Sequence, residues 1–400
     1  MLANESLTEN IAEFPEDKFE DEENENLEPE ILVNSQTLNR DRRLVTHPYD
    51  FIIRSLKEQV DDRTLVLADD FQRRRVWDDT KASRLIESLL INVPIPVCYF
   101  AELDDGSYSV IDGQQRLTSI YRYLDNEFPL KSLKVRDDLN KRRFNQLGVA
   151  DQRLIKSRSI RCVVILKDSD PEIRFDVFDR LNSNSVKLNR QELRNSLYKG
   201  TLSNLINKEF SENEIFKKLR RAKEIDGKMQ VDKRMNDCEM ILRFFAFNFS
   251  GYNYTGNLHK FLDDYLHLGQ KLNPENIDRH RSIFLKTIDN VYEVFGSNGF
   301  RRYDLQTSAW IDSLNRAIYD IVMLYFSRLP IDVVRQKKNE ILNAFIQLQQ
   351  DPEFQQAITV YPEKIQSLQT RLDKWHESLQ QIGICVDRVT IGAASGSSER

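Results

Sequence analysis

Residues 111–118 read Ile-Asp-Gly-Gln-Gln-Arg-Leu-Thr: one carboxylate, one glycine, two amides and one arginine between an apolar run and a helical pattern. Upstream, Val97 to Ala101 and Tyr108 to Ile111 have the make-up of two short strands, with Asp105-Gly106 as the hairpin turn between them. Downstream, Leu117, Ile120, Tyr121 and Leu124 recur at helical spacing, so the second strand is predicted to run straight into a helix. Gly113 then occupies a tight strand-to-helix turn, and the first N–H groups of the helix point outward. A helix N-terminus with free N–H groups and a positive dipole end attracts anions, phosphate above all. Arg116 adds a fork suited to phosphate oxygens, and Asp112 a carboxylate suited to a divalent cation bridging them. The same residues also meet a plainer description, in which Asp112 is only the helix N-cap.

Working outward, the 400 residues are 40% hydrophobic and 30% charged, enough for two or three domains with real cores. No apolar run approaches the ~20 residues of a membrane span. The N-terminus lacks the basic-then-apolar order of a signal peptide, so a cytoplasmic location with no membrane partner is expected. Cys98, Cys162, Cys238 and Cys385 lie far apart without a CxxC pair, which fits free buried thiols and not a zinc site. Charge is unevenly placed. The chain totals −5 and residues 1–30, with twelve acidic side chains and one lysine, total −11, so residues 31–400 carry +6. Residues 1–45 are expected to be a disordered acidic tail, either solubilising the protein or covering a basic groove until nucleic acid displaces it.

The predicted elements alternate at first and then turn helical. Tyr49 to Val60 is predicted as a first helix, Leu65-Val66-Leu67 as a β-type run, and Lys81 to Leu90 as an amphipathic helix ended by Pro94 and Pro96. After a basic, polar stretch from Lys131 to Arg158, Ser159 to Leu166 reads as a strand rich in β-branched residues. Pro171 to Arg180 is predicted helical and leads into the polar turn Arg180-Leu181-Asn182-Ser183-Asn184-Ser185. Asn189 and Glu192 have capping-box spacing. From there to residue 384 the pattern is almost entirely helical, including Cys238–Phe249, Leu258–Leu268, Ile283–Phe295, Ser308–Phe326, Ile331–Leu348 and Ile365–Leu379. The expected domains are a nucleotide-binding module at 46–200, an α-helical domain at 201–387 and a flexible end at 388–400.

Five ordered blocks carry a family resemblance: Phe71-Gln72-Arg73 with Val76-Trp77; Pro94-Ile95-Pro96; Asp112 to Thr118; Phe178-x-Arg180-Leu181-Asn182; and Leu188-x-x-Gln191-Glu192-Leu193-Arg194. Arg234-Met235 and Leu242-Arg243-Phe244 continue it. The chain resembles the DGQQR-motif proteins, which include the GmrS-type half of GmrSD modification-dependent restriction enzymes. The resemblance implies a fold like that of ParB and sulfiredoxin, a small mixed α/β module followed by helices, hence an α+β class overall. It implies NTP binding, and in several members hydrolysis, tied to DNA cleavage in defence against phage. Two positions depart from the family pattern: Phe71 stands where tyrosine is common, and Asn184-Ser185 where the turn usually has glycine.

Restriction members also carry a histidine-based HNH nuclease domain after the helical region. Here His376 is the single histidine beyond His280, and it lies in a helical pattern beside Trp375. The expectation is therefore a Mg²⁺-dependent NTPase acting with a separate nuclease or effector protein. Gly113 and the N–H groups of Gln114 and Gln115 would bind phosphate, and Arg116 would neutralise its charge. Asp112 would hold Mg²⁺ or orient water, and Gln114 or Gln115 would position that water. Gln72 and Arg73 would close the site, and Asn182 would reach base or ribose. DNA would bind through Arg73-Arg74-Arg75, Lys141-Arg142-Arg143 and the run Lys217, Lys218, Arg220, Arg221, Lys223. Two other readings stay open: a non-hydrolysing nucleotide or DNA sensor that recruits a partner through its helical half, and a ParB-like nuclease with catalytic metal on Asp112.

Overall fold

Alternation of side chains along Thr46–Ile52 builds the first strand, β1, whose Tyr49 and Phe51 stack at 5.3 Å on one face. It runs directly into helix α1, Ile53–Asp61, which buries Ile53 and Leu56. The helix predicted to begin at Tyr49 therefore starts four residues later. Tyr49 opposes Cys162 and Asp50 opposes Arg161 in the neighbouring strand, and this pairing outweighs the local helical spacing. The computed structural model describes residues 43–392, leaving out 68–76, 104, 226, 233 and, except for Ile173 and Val177, 170–188. The acidic tail up to residue 42, the block at Phe71–Val76 with Gln72 and Arg73, Asn182 with its turn, and residues 393–400 lie outside the described residues.

The chain divides into two units, up to Lys199 and from Gly200. In the first, β2 (Leu65–Val66), β3 (Cys98–Glu102), β4 (Tyr108–Asp112) and β5 (Ser159–Ile165) join β1 in a five-stranded sheet of order β1-β5-β3-β4-β2. The sheet is mixed: β5 with β3 and β4 with β2 are parallel, the other two pairs antiparallel. The β3–β4 hairpin closes as its sequence requires. Gly106 sits at φ +80° and the Asp105 carboxylate accepts from the Ser107 N–H at 2.9 Å. Helices α1, α2 (Asp79–Leu90) and α3 (Gln114–Leu124) and the residues after them cover one sheet face, with Leu85, Ile86, Leu117, Ile120 and Tyr123 meeting Cys98, Phe100, Val110 and Val164. Helix α4, Val149–Ser157, and helix α5, Arg190–Leu197, complete the unit. At the start of α5 the Asn189 side chain accepts from Glu192 N–H while Glu192 accepts from Asn189 N–H, the capping box the spacing predicts.

The second unit is mostly helical, so the protein is α+β. Helices Asn236–Ser250, Leu258–Leu268, Pro274–Phe295, Arg316–Phe326 and Ile365–Gln381 pack around Phe245, Phe284, Tyr319, Phe326 and Trp375. Two stretches predicted as single helices differ. Within Ser308–Phe326, residues Ala309–Leu314 are a strand paired with Arg301–Asp304, and Asn315 caps the helix that follows. Buried Arg301 secures that hairpin by donating to Asp312, Ser297 and Leu219 carbonyls, a long-range anchor that periodicity does not register. Ile331–Leu348 is two helices, Ile331–Gln336 and Lys338–Leu348. No described helix is long and apolar enough to cross a membrane.

Candidate functional site

The parallel and antiparallel pairings bring one end of the sheet together. The C-terminal ends of β2 and β4, the N-terminal ends of β3 and β5 and the start of α1 share it. The chain leaves β4 at Asp112, turns at Gly113 and enters α3 at Gln114. Gly113 is at φ +100°, a left-handed conformation that L side chains resist. A Cβ at Gly113 would also collide with the Sγ of Cys98, so glycine is required twice over. Gly113 itself is the N-cap of α3, and no side chain caps the helix among the described residues. The plain N-cap reading of Asp112 is thus replaced by an uncapped helix start, its first N–H groups left for another acceptor.

Asp112 and Arg116 face each other. Arg116 Nη2 donates to Asp112 Oδ2 at 2.6 Å, while Nη1 donates to the carbonyls of Pro96 and, at 3.3 Å, Val97. The guanidinium is buried, and its hydrogen bonds run to the strand end and to the loop before β3. This is a more committed arginine than the sequence led us to expect. It holds the carboxylate in place and ties three chain segments together. Asp112 is about one quarter exposed, and its Oδ1 has no hydrogen-bond partner among the described residues.

The two amides are divided in role. Gln115 Oε1 accepts from the backbone N–H of Trp77 at 3.0 Å, fixing the point where the chain enters α2 from residues 68–76. Gln114 is half-buried, with no side-chain hydrogen bond among the described residues. Arg122 reaches the Trp77 carbonyl at 3.4 Å and Asp79 at 3.2 Å, and Lys81 lies 4.3 Å from the centre of the Trp77 ring, so both flanks of Trp77 are held.

Cys98 and Cys162 are residues the sequence reading did not connect to this site. They oppose each other on parallel strands, both fully buried, with Cys98 against Gly113. The hydrogen bond from Cys162 and the nearby Arg116 charge hold the Cys98 thiol below its ordinary range; the same contact and burial push the Cys162 thiol up. Isolated cysteines 64 positions apart carry no sequence signal of this pairing. The carbonyls of Pro96 and Val97 were likewise not among the groups the sequence assigned to the site.

Of the three basic clusters, Arg73–Arg75 lies outside the described residues. Within the run at 217–223, Lys217 is buried on Glu212 and Glu214 and Arg220 on Asp237 at 3.3 Å, whereas Lys218, Lys223 and Arg221, which pairs with Asp312 at 2.5 Å, are exposed. His376 is buried in its helix, 5.9 Å from the Tyr325 ring centre. Among the described residues no three His, Cys, Asp or Glu side chains are grouped to hold a metal ion.

The family model described as GmrSD restriction endonuclease, N-terminal domain, matches residues 53–199. The match spans the Asp112–Arg116 turn, both flanks of Trp77 and the whole of α5, and stops where the helical unit begins. No curated protein matches the chain.

Proposed function

We propose that the GmrSD-type domain at residues 53–199 binds a nucleoside triphosphate with Mg²⁺ at the start of α3 and serves a restriction-like, DNA-targeting system. The observation that carries this is the uncapped helix start behind a left-handed Gly113, with the half-open Asp112 carboxylate beside it. The N–H groups of Gln114 and Gln115 would hold phosphate oxygens, with the helix dipole favouring negative charge. The free Asp112 oxygen suits a Mg²⁺ that keeps most of its water and takes its other ligands from phosphate. Bound there, Mg²⁺ would offset charge on the phosphates. Gln114, whose side chain has no hydrogen bond among the described residues, would orient an attacking water. Gln72 and Arg73 would close over the phosphates, and Asn182 would contact base or ribose. A separate nuclease or effector protein would supply DNA cleavage.

One observation favours a second reading, a nucleotide sensor without turnover. Both terminal nitrogens of Arg116 are committed to protein acceptors. Arg116 thus has less freedom to follow charge as it develops on a transferring phosphoryl group.

The discriminating experiment is phosphate release and thermal shift with each of the four NTPs and Mg²⁺, with and without DNA, for wild type and Asp112→Asn. The substitution keeps the shape of the side chain and a hydrogen-bond acceptor for Arg116 but removes the charge. Turnover lost in Asp112→Asn supports the NTPase. An NTP-induced rise in Tm without turnover supports the sensor. No turnover and no rise with any NTP in wild type would sink both.

A further inference from the structure

Residues 130–158 carry nine cationic and three acidic side chains, a net charge of +6 that equals the whole excess of residues 31–400. The fold gathers them into one lobe. Leu130 and Arg142 pair through their backbones, as do Lys141 and Leu130, at 3.0 and 2.8 Å. Gln152 Nε2 donates to the Leu147 carbonyl, and Arg136 bridges to Asp151 at the start of α4. Four of the nine cations are tied by ion pairs or to distant carbonyls: Lys131 on Asp79, Arg136 on Asp138 and Asp151, Arg143 on the Asn126 carbonyl and Arg158 on the Leu89 carbonyl, while Arg142 reaches only the Gln146 carbonyl four residues on, at 3.4 Å.

The other five, Lys134, Lys141, Arg142, Arg153 and Lys156, are exposed and form no ion pair among the described residues. Arg153 and Lys156 are three apart on the outer face of α4, and Lys156 lies 5.2 Å from the centre of the Phe144 ring, next to Arg142 and Arg143. Two of the lobe's three carboxylates are held by Arg136, so little acid offsets this face.

We infer that this lobe is a phosphate-backbone contact for duplex DNA, separate from the Asp112–Arg116 site; this rests on the DNA-targeting part of the function proposed above. The absence of an exposed aromatic favours a duplex over a single strand. Phe144, the lobe's one aromatic ring, is buried, and the exposed apolar side chains are Val135 and Val149. Single-strand binders stack bases on exposed rings, whereas a set of cations alone reads backbone charge. Such binding is independent of sequence and falls steeply with salt.

The test uses the full chain, with fluorescence anisotropy of a short random-sequence duplex at rising KCl. The variant Lys141→Ala/Arg142→Ala/Arg153→Ala/Lys156→Ala is compared with Lys260→Ala/Lys271→Ala, which removes exposed lysines of the helical unit that lie outside every basic cluster. The fourfold variant should weaken binding at least about tenfold and lower the salt slope by about 3 to 4, at ~0.9 per lost phosphate contact. The control should change neither. The inference is overturned if wild type does not bind the duplex, if the fourfold variant binds as wild type does, or if single-stranded RNA binds more tightly than the duplex. The NTP-induced shift in Tm, measured on the same samples, keeps the two readings apart. A retained shift with no duplex binding removes the lobe and leaves the nucleotide site, and the reverse result does the opposite.

Discussion

Gly113 shows how one residue serves two demands. Its backbone angle and its contact with Cys98 both exclude a side chain. Gly113→Ala should therefore cost about 1–2 kcal/mol for the left-handed backbone and a further 1–3 kcal/mol, roughly, for crowding Cys98. Thermal melting measures the sum, and a variant as stable as wild type would refute the geometry. Arg116 teaches a related lesson. Because it is buried on Asp112 and two carbonyls, Arg116→Ala should destabilise the first unit by about 3 kcal/mol or more, leaving a carboxylate without its partner. A loss of nucleotide binding in that variant has to be judged beside its melting temperature. Asp112→Asn is the cleaner probe, since it should melt within a few degrees of wild type while losing any Mg²⁺-dependent ligand shift. The glycine, the aspartate and the arginine could all be picked out of the sequence. Their mutual geometry could not, because Pro96 and Cys98 reach them only when β3 lies against β4.

Among the elements, α2 and the lobe after α3 depend on a single carboxylate. Glu87 Oε1 accepts the N–H groups of Lys134, Val135 and Arg136 at 2.9, 2.7 and 2.9 Å. Burial pushes this carboxyl up, but the hydrogen bonds from Arg136, Val135 and Lys134 outweigh it and hold it below the ordinary range. A carboxyl depressed in the folded state stabilises above its unfolded pKa and loses that contribution as pH falls through the folded value. Wild type should therefore lead Glu87→Gln by about 2 kcal/mol at neutral pH. The gap should narrow as pH drops below the ordinary glutamate value of 4.5. Melting curves from neutral to acid pH would show it, and a gap that stays constant would refute it. At this scale the sequence was legible where caps and turns are local, as at Asn189–Glu192 and Asp105–Gly106. It was not legible at Tyr49–Ile52 or Ala309–Leu314, where a partner strand decided the conformation.

Across the whole molecule, the helical unit is tied by a buried cluster of two arginines and one aspartate. Arg243 meets Asp320 through two hydrogen bonds at 2.6 and 2.7 Å, and Arg371 meets the same carboxylate at 2.9 Å. Three helices separated by tens of residues converge there, at Asn236–Ser250, Arg316–Phe326 and Ile365–Gln381. Asp320→Ala leaves two buried cations unpaired and should cost about 3–5 kcal/mol. Hydrogen exchange should accelerate in those three helices, while peptides covering 108–124 in the first unit keep their protection. Equal acceleration in both units would mean that the two do not hold their stability separately.

The sequence by itself determined the α+β class, the strand-to-helix turn at Asp112–Arg116 and the family of residues 53–199. These depend on periodicity, turn chemistry and motif order, which are local properties of the chain. Tertiary structure alone decided which charges are available. It buried Arg116, Lys217 and Arg220 on partners and left Lys134, Lys141, Arg142, Arg153 and Lys156 on the surface. A charge is spoken for only when folding brings a distant acceptor within hydrogen-bond reach, and sequence spacing does not carry that distance.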